Sequence, residues 1–498
     1  MTISPRTPVI IGVAQVSHRP DNSPSDTGTA DRSLPDAVDL MAQAVRAASV
    51  DTRAADAAVR NAIDTIAVVG GLWRHQNPGA LIAGELSLTQ PIRSILTTFG
   101  GNMPIKTTHE LAAQIAAGEL DVAVVAGGEC NLTRRVLEKQ GRKPRRREEP
   151  TGTDVERRGD VLDMGDRFAN DRGGEIPRNS YAVLDSAIRA SRGETLDEAR
   201  DRAARLWAGY AAVAAGNPHA ADRQGLDEGA IRNPSAGNRM VSWPYTKAMC
   251  ANNTVDQAAA IILCSTEKAD ELGVPQDRRV HPSLCVNAED TLTLLDRADV
   301  AATPGLVGAA AAVLDALGTA DAIDHVDLYS CFPSIVTLTT EAFGLDPSRR
   351  LTVTGGLAFA GAPLNFAAGQ GLVGMVDTLR ADPGSVGLVQ GNGGHATKHS
   401  IGIYSTSAPT TPHTIVDVET HDAPRPLADP DRAGEAAVKG ITVEYDHDGP
   451  ARAIAIVEFD DTSRMWAIST DPAVMELATR VETVGRRVSV EGGEIRLL

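Results

Sequence analysis

A duplicated α/β core followed by a small β-barrel of the OB type is the fold class that the sequence predicts, and three observations predict it. Ala62-Ile63-Asp64-Thr65-Ile66-Ala67-Val68-Val69-Gly70 returns about 260 residues later as Ala322-Ile323-Asp324-His325-Val326-Asp327-Leu328-Tyr329-Ser330, each copy after an alanine-rich segment. Each half then offers a second apolar run that closes on glycines, residues 120–128 and 386–394. The matching order implies a repeated unit of strands and helices, in which ligands gather at strand ends. Beyond Ser407-Ala408-Pro409-Thr410-Thr411-Pro412, a linker by composition, period-2 strands take over.

Residues 8–14, Pro-Val-Ile-Ile-Gly-Val-Ala, read as the first buried strand, too short for a signal-peptide core with its cleavage site. A polar loop at 18–33 precedes a helix over 34–50, where Val38, Met41, Ala42 and Val45 share one face. A strand at 63–69, a helix at 111–119 and an almost wholly apolar strand at 121–126 continue the first half, residues 1–132. Residues 133–246 differ in character. Arg134, Arg135, Lys139, Arg142, Lys143, Arg145, Arg146 and Arg147 crowd their start, and polar helices such as 196–214 follow, so the segment reads as an insertion. The first half resumes over 247–272, and the second half spans 273–408. In 409–498, strands at 441–445, 453–459, 487–490 and 495–497 alternate with turns at Asp448-Gly449-Pro450 and Gly492-Gly493, the pattern of an OB-like barrel.

The length of 498 residues suggests about three domains. With 65 acidic against 48 basic residues and 3% aromatics, the chain lacks the basic, stacking surface that nucleic acid requires. Five scattered cysteines, Cys130, Cys250, Cys264, Cys285 and Cys331, show no metal-ligand spacing and fit free thiols in a reducing interior. No segment approaches the roughly 20 apolar residues of a membrane helix, so a cytoplasmic protein is expected. Gly369-Gln370-Gly371-Leu372-Val373-Gly374 spells a dinucleotide fingerprint, but it follows a Gly-Ala-Pro loop rather than a buried strand. Small residues for close helix packing explain it better.

At residues 111–129, Asp256-Gln257-Ala258-Ala259-Ala260, Gly355-Gly356-Leu357-Ala358-Phe359-Ala360-Gly361-Ala362-Pro363 and Gln390-Gly391-Asn392-Gly393-Gly394, the chain resembles the thiolase superfamily. It is most similar to the bacterial thiolase-like proteins labelled acetyl-CoA acetyltransferases, over about residues 6–406. The resemblance implies two mixed five-stranded sheets around shared helices, with the insertion as a loop domain that holds coenzyme A. It further implies an acyl-CoA ligand, no tightly bound cofactor or metal, a place in lipid metabolism, and a homodimer unless the fused domain covers the pairing surface. Thiolase chemistry needs a nucleophilic cysteine, a Gly-His-Pro histidine and a Cys-x-Gly cysteine. Here the matching positions carry Asn102, Ala362 (in Gly361-Ala362-Pro363) and Asn392. An amide or an alanine forms no acyl thioester, so ordinary thiolysis is not expected.

The fourth family motif appears as Tyr329-Ser330-Cys331-Phe332, and a tyrosine there resembles thiolase-like aldolases, which pair with a small OB-type partner. Tyr329 is thus a candidate proton donor or acceptor; a strand-capping hydroxyl is the other reading. In Gly394-His395-Ala396-Thr397-Lys398-His399, His395 is the expected base, against a polar loop at the sheet edge. Asn102, Cys331 and Asn392 complete the candidate catalytic set. Lys247, Asn252, Arg134, Arg135, Gly355, Gly356 and Gly361 are the expected coenzyme A contacts, the arginines meeting its phosphates. Three functions follow as expectations: an acyltransferase with a rebuilt site, a retro-aldolase acting through Tyr329, or an acyl-CoA-binding scaffold without turnover.

Overall fold

A computed structural model describes residues 4–19, 34–152, 154–159, 171–420 and 423–498, so most of the polar loop expected at 18–33 lies outside the described residues. The first sheet uses β1 (Pro8–His18), β2 (Thr65–Val68), β3 (Arg93–Thr97), β4 (Val122–Cys130) and a short edge strand β5 (Glu156–Arg158). After the insertion, with its own β6 (Met240–Ser242) and β7 (Tyr245–Thr246), β8 (Asp256–Ser265) completes it in the order β1-β8-β4-β2-β3-β5. The second sheet holds β9 (His281–Glu289), β10 (His325–Asp327), β11 (Val386–Gly393), β12 (Lys398–Ser405) and β13 (Thr414–Val418), ordered β10-β11-β12-β9-β13.

The two halves repeat one plan. β2 runs parallel to β4, β4 antiparallel to β8 and β8 antiparallel to β1. In the second half β10, β11, β12 and β9 follow with the same senses. The recurring Ala-Ile-Asp motif has a shared physical role. Asp64 donates its amide to the Val122 carbonyl at 3.0 Å, and its carboxylate accepts the Val122 amide at 3.1 Å. Asp324 does the same with Val386, at 2.9 and 2.8 Å. Each aspartate therefore locks the start of one strand to its neighbour, and β-branched residues fill the buried run beyond it.

The helices Met103–Ala117 and Ala367–Ala381 lie between the sheets and touch strands of both. The glycine-rich fingerprint is inside the second helix, where a Cβ on Gly369 or Gly371 would overlap the Phe366 ring or the Asp327 carboxylate. A further cluster, from Val38 to Ala260, packs the helix Ala37–Asp51 on the outer face of the first sheet. That helix starts on a capping box, Asp36 with Asp39, as its sequence allows.

The C-terminal domain is a closed five-stranded barrel. β14 (Gly434–Tyr445), β15 (Pro450–Phe459), β16 (Arg464–Ser469), β18 (Glu494–Leu497) and β17 (Arg487–Glu491) follow one another, and β14 pairs again with β15. This is the circuit of an OB fold, with the parallel β16–β18 contact and the helix Pro472–Arg480 between β16 and β17. Gly492 and Gly493, both at positive φ, make the two-residue hairpin turn. Reading the sequence alone misses β16, and it assigns Thr414–Val418 to the β domain, whereas that strand extends the second core sheet. The barrel sits on the insertion: Ser186 Oγ accepts the Ile441 amide at 2.8 Å and Trp243 donates its amide to the Val443 carbonyl at 2.8 Å.

Candidate active site

A cavity of about 850 Å³ opens where β2, β3, β10 and β11 end, the strand ends at which ligands collect in α/β sheets. Its walls include Gly100, Gly101, Tyr329, Cys331, Asn392 and Lys398, and the insertion closes it with Ile176, Arg178 and Tyr181. A second cavity of about 1170 Å³ adjoins it, sharing Trp73 and His75, and is lined by Arg134, Arg145, Arg146 and Arg147.

Asn102 is the N-cap of the helix Met103–Ala117, but its side chain makes no cap hydrogen bond. Its Oδ1 is buried behind Gly100 and Gly393 without a hydrogen-bond partner. Gly101 must be glycine: a Cβ there would meet the Asn392 carbonyl and lie 2.5 Å from the Tyr329 hydroxyl. Tyr329 thus presents its phenol at the helix start. Burial, reinforced by Cys331, holds that phenol well above its usual pKa, which favours its protonated form.

Tyr181 organises the opposite wall. Its hydroxyl accepts from Asn392 Nδ2 and from the Ala396 amide, each at 2.9 Å, and donates to the Gly394 carbonyl at 2.9 Å. Its ring stacks on Phe332 at 4.8 Å. Nothing in its local sequence, Asn179-Ser180-Tyr181-Ala182, marks it out; only the fold brings it to residues more than 200 positions away. His395 is on the far side of this tyrosine, edge-on at 6.3 Å, and does not line the cavity. Burial and then the charge of Arg297 push its imidazole down to about 4, which leaves it a weak base.

Every cysteine is pushed up by burial, Cys250, Cys264 and Cys331 to about 12 and Cys130 and Cys285 further. None is a thiolate near neutrality, the form a nucleophile requires. Among the described residues, no group of His, Cys, Asp and Glu could hold a metal ion.

The expected coenzyme A contacts divide. Arg134 lines the larger cavity, 3.8 Å from Glu138, while Arg135 donates to Thr254 Oγ1 at 3.0 Å. Lys247 is exposed and lines neither cavity. Asn252 ties loops together, its carbonyl accepting the Ala362 amide at 3.0 Å and its Oδ1 the Thr254 amide at 3.1 Å. Gly355 and Gly356, at positive φ, pack against Ala214 and Tyr210, and Gly361 against Gln257, so all three serve close backbone approach away from the cavity. In the sequence, Lys398 is one residue of a polar stretch with nothing to set it apart. Its alternation on β12, opposite Gly393, aims it into the cavity.

The chain has the fold of the thiolase superfamily, with an OB-like barrel fused to it. It is similar over its whole length, and that of its counterpart, to a monomeric SCP2-thiolase-like protein type 1 from Mycobacterium smegmatis (28% identity, TM-score 0.80). The Ltp2–ChsH2(DUF35) aldolase shares the fold over 80% of this chain and 98% of its own, at 16% identity and a TM-score of 0.57. The acetyl-CoA acetyltransferase of Syntrophomonas wolfei does so over 80% and 99%, at 16% and 0.56. No protein-family model and no curated protein matches the chain.

Proposed function

We propose that the chain binds an acyl-CoA thioester and cleaves a carbon–carbon bond in it by a retro-aldol reaction, without a covalent cysteine intermediate. The observation that carries this reading is the Tyr329 phenol, held protonated at the cavity beside the start of the helix Met103–Ala117, in a protein whose five thiols are all raised. A protonated phenol can donate a hydrogen bond to the oxygen of a thioester enolate, and the positive end of the helix dipole favours its charge. In the cleavage, a 3-hydroxyacyl thioester gives an aldehyde or ketone and a shortened acyl-CoA. The neighbouring cavity, with Arg134, Arg145 and Arg146, offers room and cations for the nucleotide end of coenzyme A.

The likeness to an aldolase with a DUF35 partner supports the lyase over an acyltransferase, because this chain carries a β-barrel of its own. The same reading favours a monomer over a homodimer. β5 already pairs with β3 at the edge of the first sheet, and the Mycobacterium smegmatis relative is described as monomeric. The test is a product assay with 3-hydroxyacyl-CoA substrates beside a thiolysis assay with acetoacetyl-CoA. The expected result is carbonyl release without thiolysis, and a loss of roughly 10²- to 10⁴-fold in Tyr329→Phe, the range for removing a proton-transfer group. A Tyr329→Phe rate within about threefold of the parent, far short of that range, removes the tyrosine from the mechanism. Binding of acyl-CoA with no turnover of any kind assigns the chain as a binding protein instead.

A further inference from the structure

Lys398 opens β12, opposite Gly393 on one side and Glu289 on the other, and its amine enters the smaller cavity. Its amine reaches the Phe99 carbonyl at 3.5 Å, a long hydrogen bond that holds it weakly. Asn102 occupies the same ground. A Cβ on Gly100 would lie 2.6 Å from Asn102 Oδ1 and 3.6 Å from Lys398 Nζ. A Cβ on Gly393 would lie 2.8 Å from that Oδ1 and 3.3 Å from Lys398 Cε. Asn102 is only 6% exposed and its Oδ1 has no partner, a costly arrangement unless a donor arrives during function. On the other side of the same turn stands the Tyr329 hydroxyl.

We infer that Lys398 is the general base of the site, taking the 3-hydroxyl proton of a 3-hydroxyacyl thioester, an assignment that rests on the retro-aldol reading above. The neutral amine accepts the hydroxyl proton as the carbinol carbon becomes a carbonyl and the C2–C3 bond breaks. The electron pair of that bond passes into the thioester as an enolate, whose oxygen receives a hydrogen bond from the Tyr329 phenol. C2 then takes the proton back from the Lys398 ammonium, so the amine is regenerated and no co-reactant is consumed. In the interval the ammonium turns between the Phe99 carbonyl and Asn102 Oδ1, which makes Asn102 a positioning residue. Burial favours the neutral amine; Glu289 across the strand pair opposes this, and Lys106, from the helix Met103–Ala117, adds to it.

The test compares 3-hydroxybutyryl-CoA with butyryl-CoA by calorimetry on the full chain, and follows carbonyl release from the first. The parent should bind the hydroxylated thioester roughly two- to tenfold more tightly, as one hydrogen bond between uncharged groups allows. Lys398→Met should erase that preference. Lys398→Arg, which keeps a basic side chain but stays protonated near neutrality and so cannot accept the hydroxyl proton, should lower carbonyl release at least about 100-fold. Failure of both thioesters to bind overturns the acyl-CoA reading and this one with it. Binding without a hydroxyl preference, or a preference that survives Lys398→Met, overturns the Lys398 assignment alone. Carbonyl release within about threefold of the parent in Lys398→Arg does the same, whereas no carbonyl release from the parent itself overturns the retro-aldol reading together with the assignment.

Discussion

Tyr181→Phe removes one oxygen from the wall of the cavity, and the structure sets the size of the effect. Tyr181 is 2% exposed, and its hydroxyl serves three groups at 2.9 Å: Asn392 Nδ2, the Ala396 amide and the Gly394 carbonyl. Gly394 is exposed, so its carbonyl can turn to water. The other two cannot, since Asn392 and Ala396 are buried and Asn392 Oδ1 already lacks a partner. Two orphaned donors at about 1–2 kcal/mol each destabilise the turn by roughly 2–4 kcal/mol. If that cost falls on local opening of residues 392–398, amide exchange there speeds up by roughly 30- to 700-fold. Hydrogen exchange read by mass spectrometry on peptides covering Ala396 measures it, with peptides from β14 and β15 as internal controls. Exchange at Ala396 within about threefold of the parent would falsify the reasoning that Tyr181 holds the turn.

Three further outcomes follow from the same geometry. Asp64→Asn should destabilise by roughly 1–3 kcal/mol, because its carboxylate accepts the Asp121 and Val122 amides; Asp324→Asn, with the one Val386 amide, should cost less, a ranking that thermal melts can check. A Cβ on Gly127 would overlap the Phe366 ring, so Gly127→Ala should cost about 1–3 kcal/mol, and adding Phe366→Leu should recover part of it; an additive double variant would sink the idea. His413 shares a 2.9 Å hydrogen bond with the buried His109 and is pushed down to about 4 by burial. Its unfolded form takes up a proton below about 6.5 that the folded form refuses, so its contribution is intact above that pH and is lost as pH falls toward 4, on the order of 1–3 kcal/mol. His413→Gln should flatten this acid limb in melts between pH 6.5 and 4, and an unchanged slope refutes the assignment.

Much of the core was legible because it is written in local patterns. The Ala-Ile-Asp repeat announced two equivalent strand starts, and the structure gives both aspartates one role. The Gly492-Gly493 and Asp448-Gly449-Pro450 turns announced the barrel hairpins. β16 escaped because Arg464-Met465-Trp466-Ala467-Ile468-Ser469 begins with a buried arginine, which breaks the apolar alternation. That arginine reaches Glu458 and the carbonyls of Arg297 and Ala298 in the core. The site was legible only in part. Tyr329, Cys331 and Asn392 meet at one cavity, whereas His395 is screened by Tyr181 and Gly355, Gly356 and Gly361 answer to packing. A local string shows which residue can do chemistry; it does not show which side of a strand pair that residue will face. Lys398 differs from His399 in that respect alone, one entering the cavity and the other hydrogen-bonded at 3.1 Å to buried Asp290.

The seating of the barrel on the insertion bears on how this chain is made. Ser186 and Ile441 are 255 positions apart, and Gly440 approaches the Val183 backbone so closely that a Cβ would lie 2.8 Å from its carbonyl oxygen. During synthesis at about 5–20 residues per second, the helix Pro177–Arg192 therefore waits on the order of ten seconds or more for its cover. In that interval its face with Val183 and Ser186 is open to chaperones and proteases, while β4 and β8 can already pair across the base of the insertion. A stop or frameshift before β14 would leave that helix permanently uncovered. Quality control would meet a chain with a finished first sheet and an exposed apolar shoulder, which is a target for degradation rather than a partly working protein.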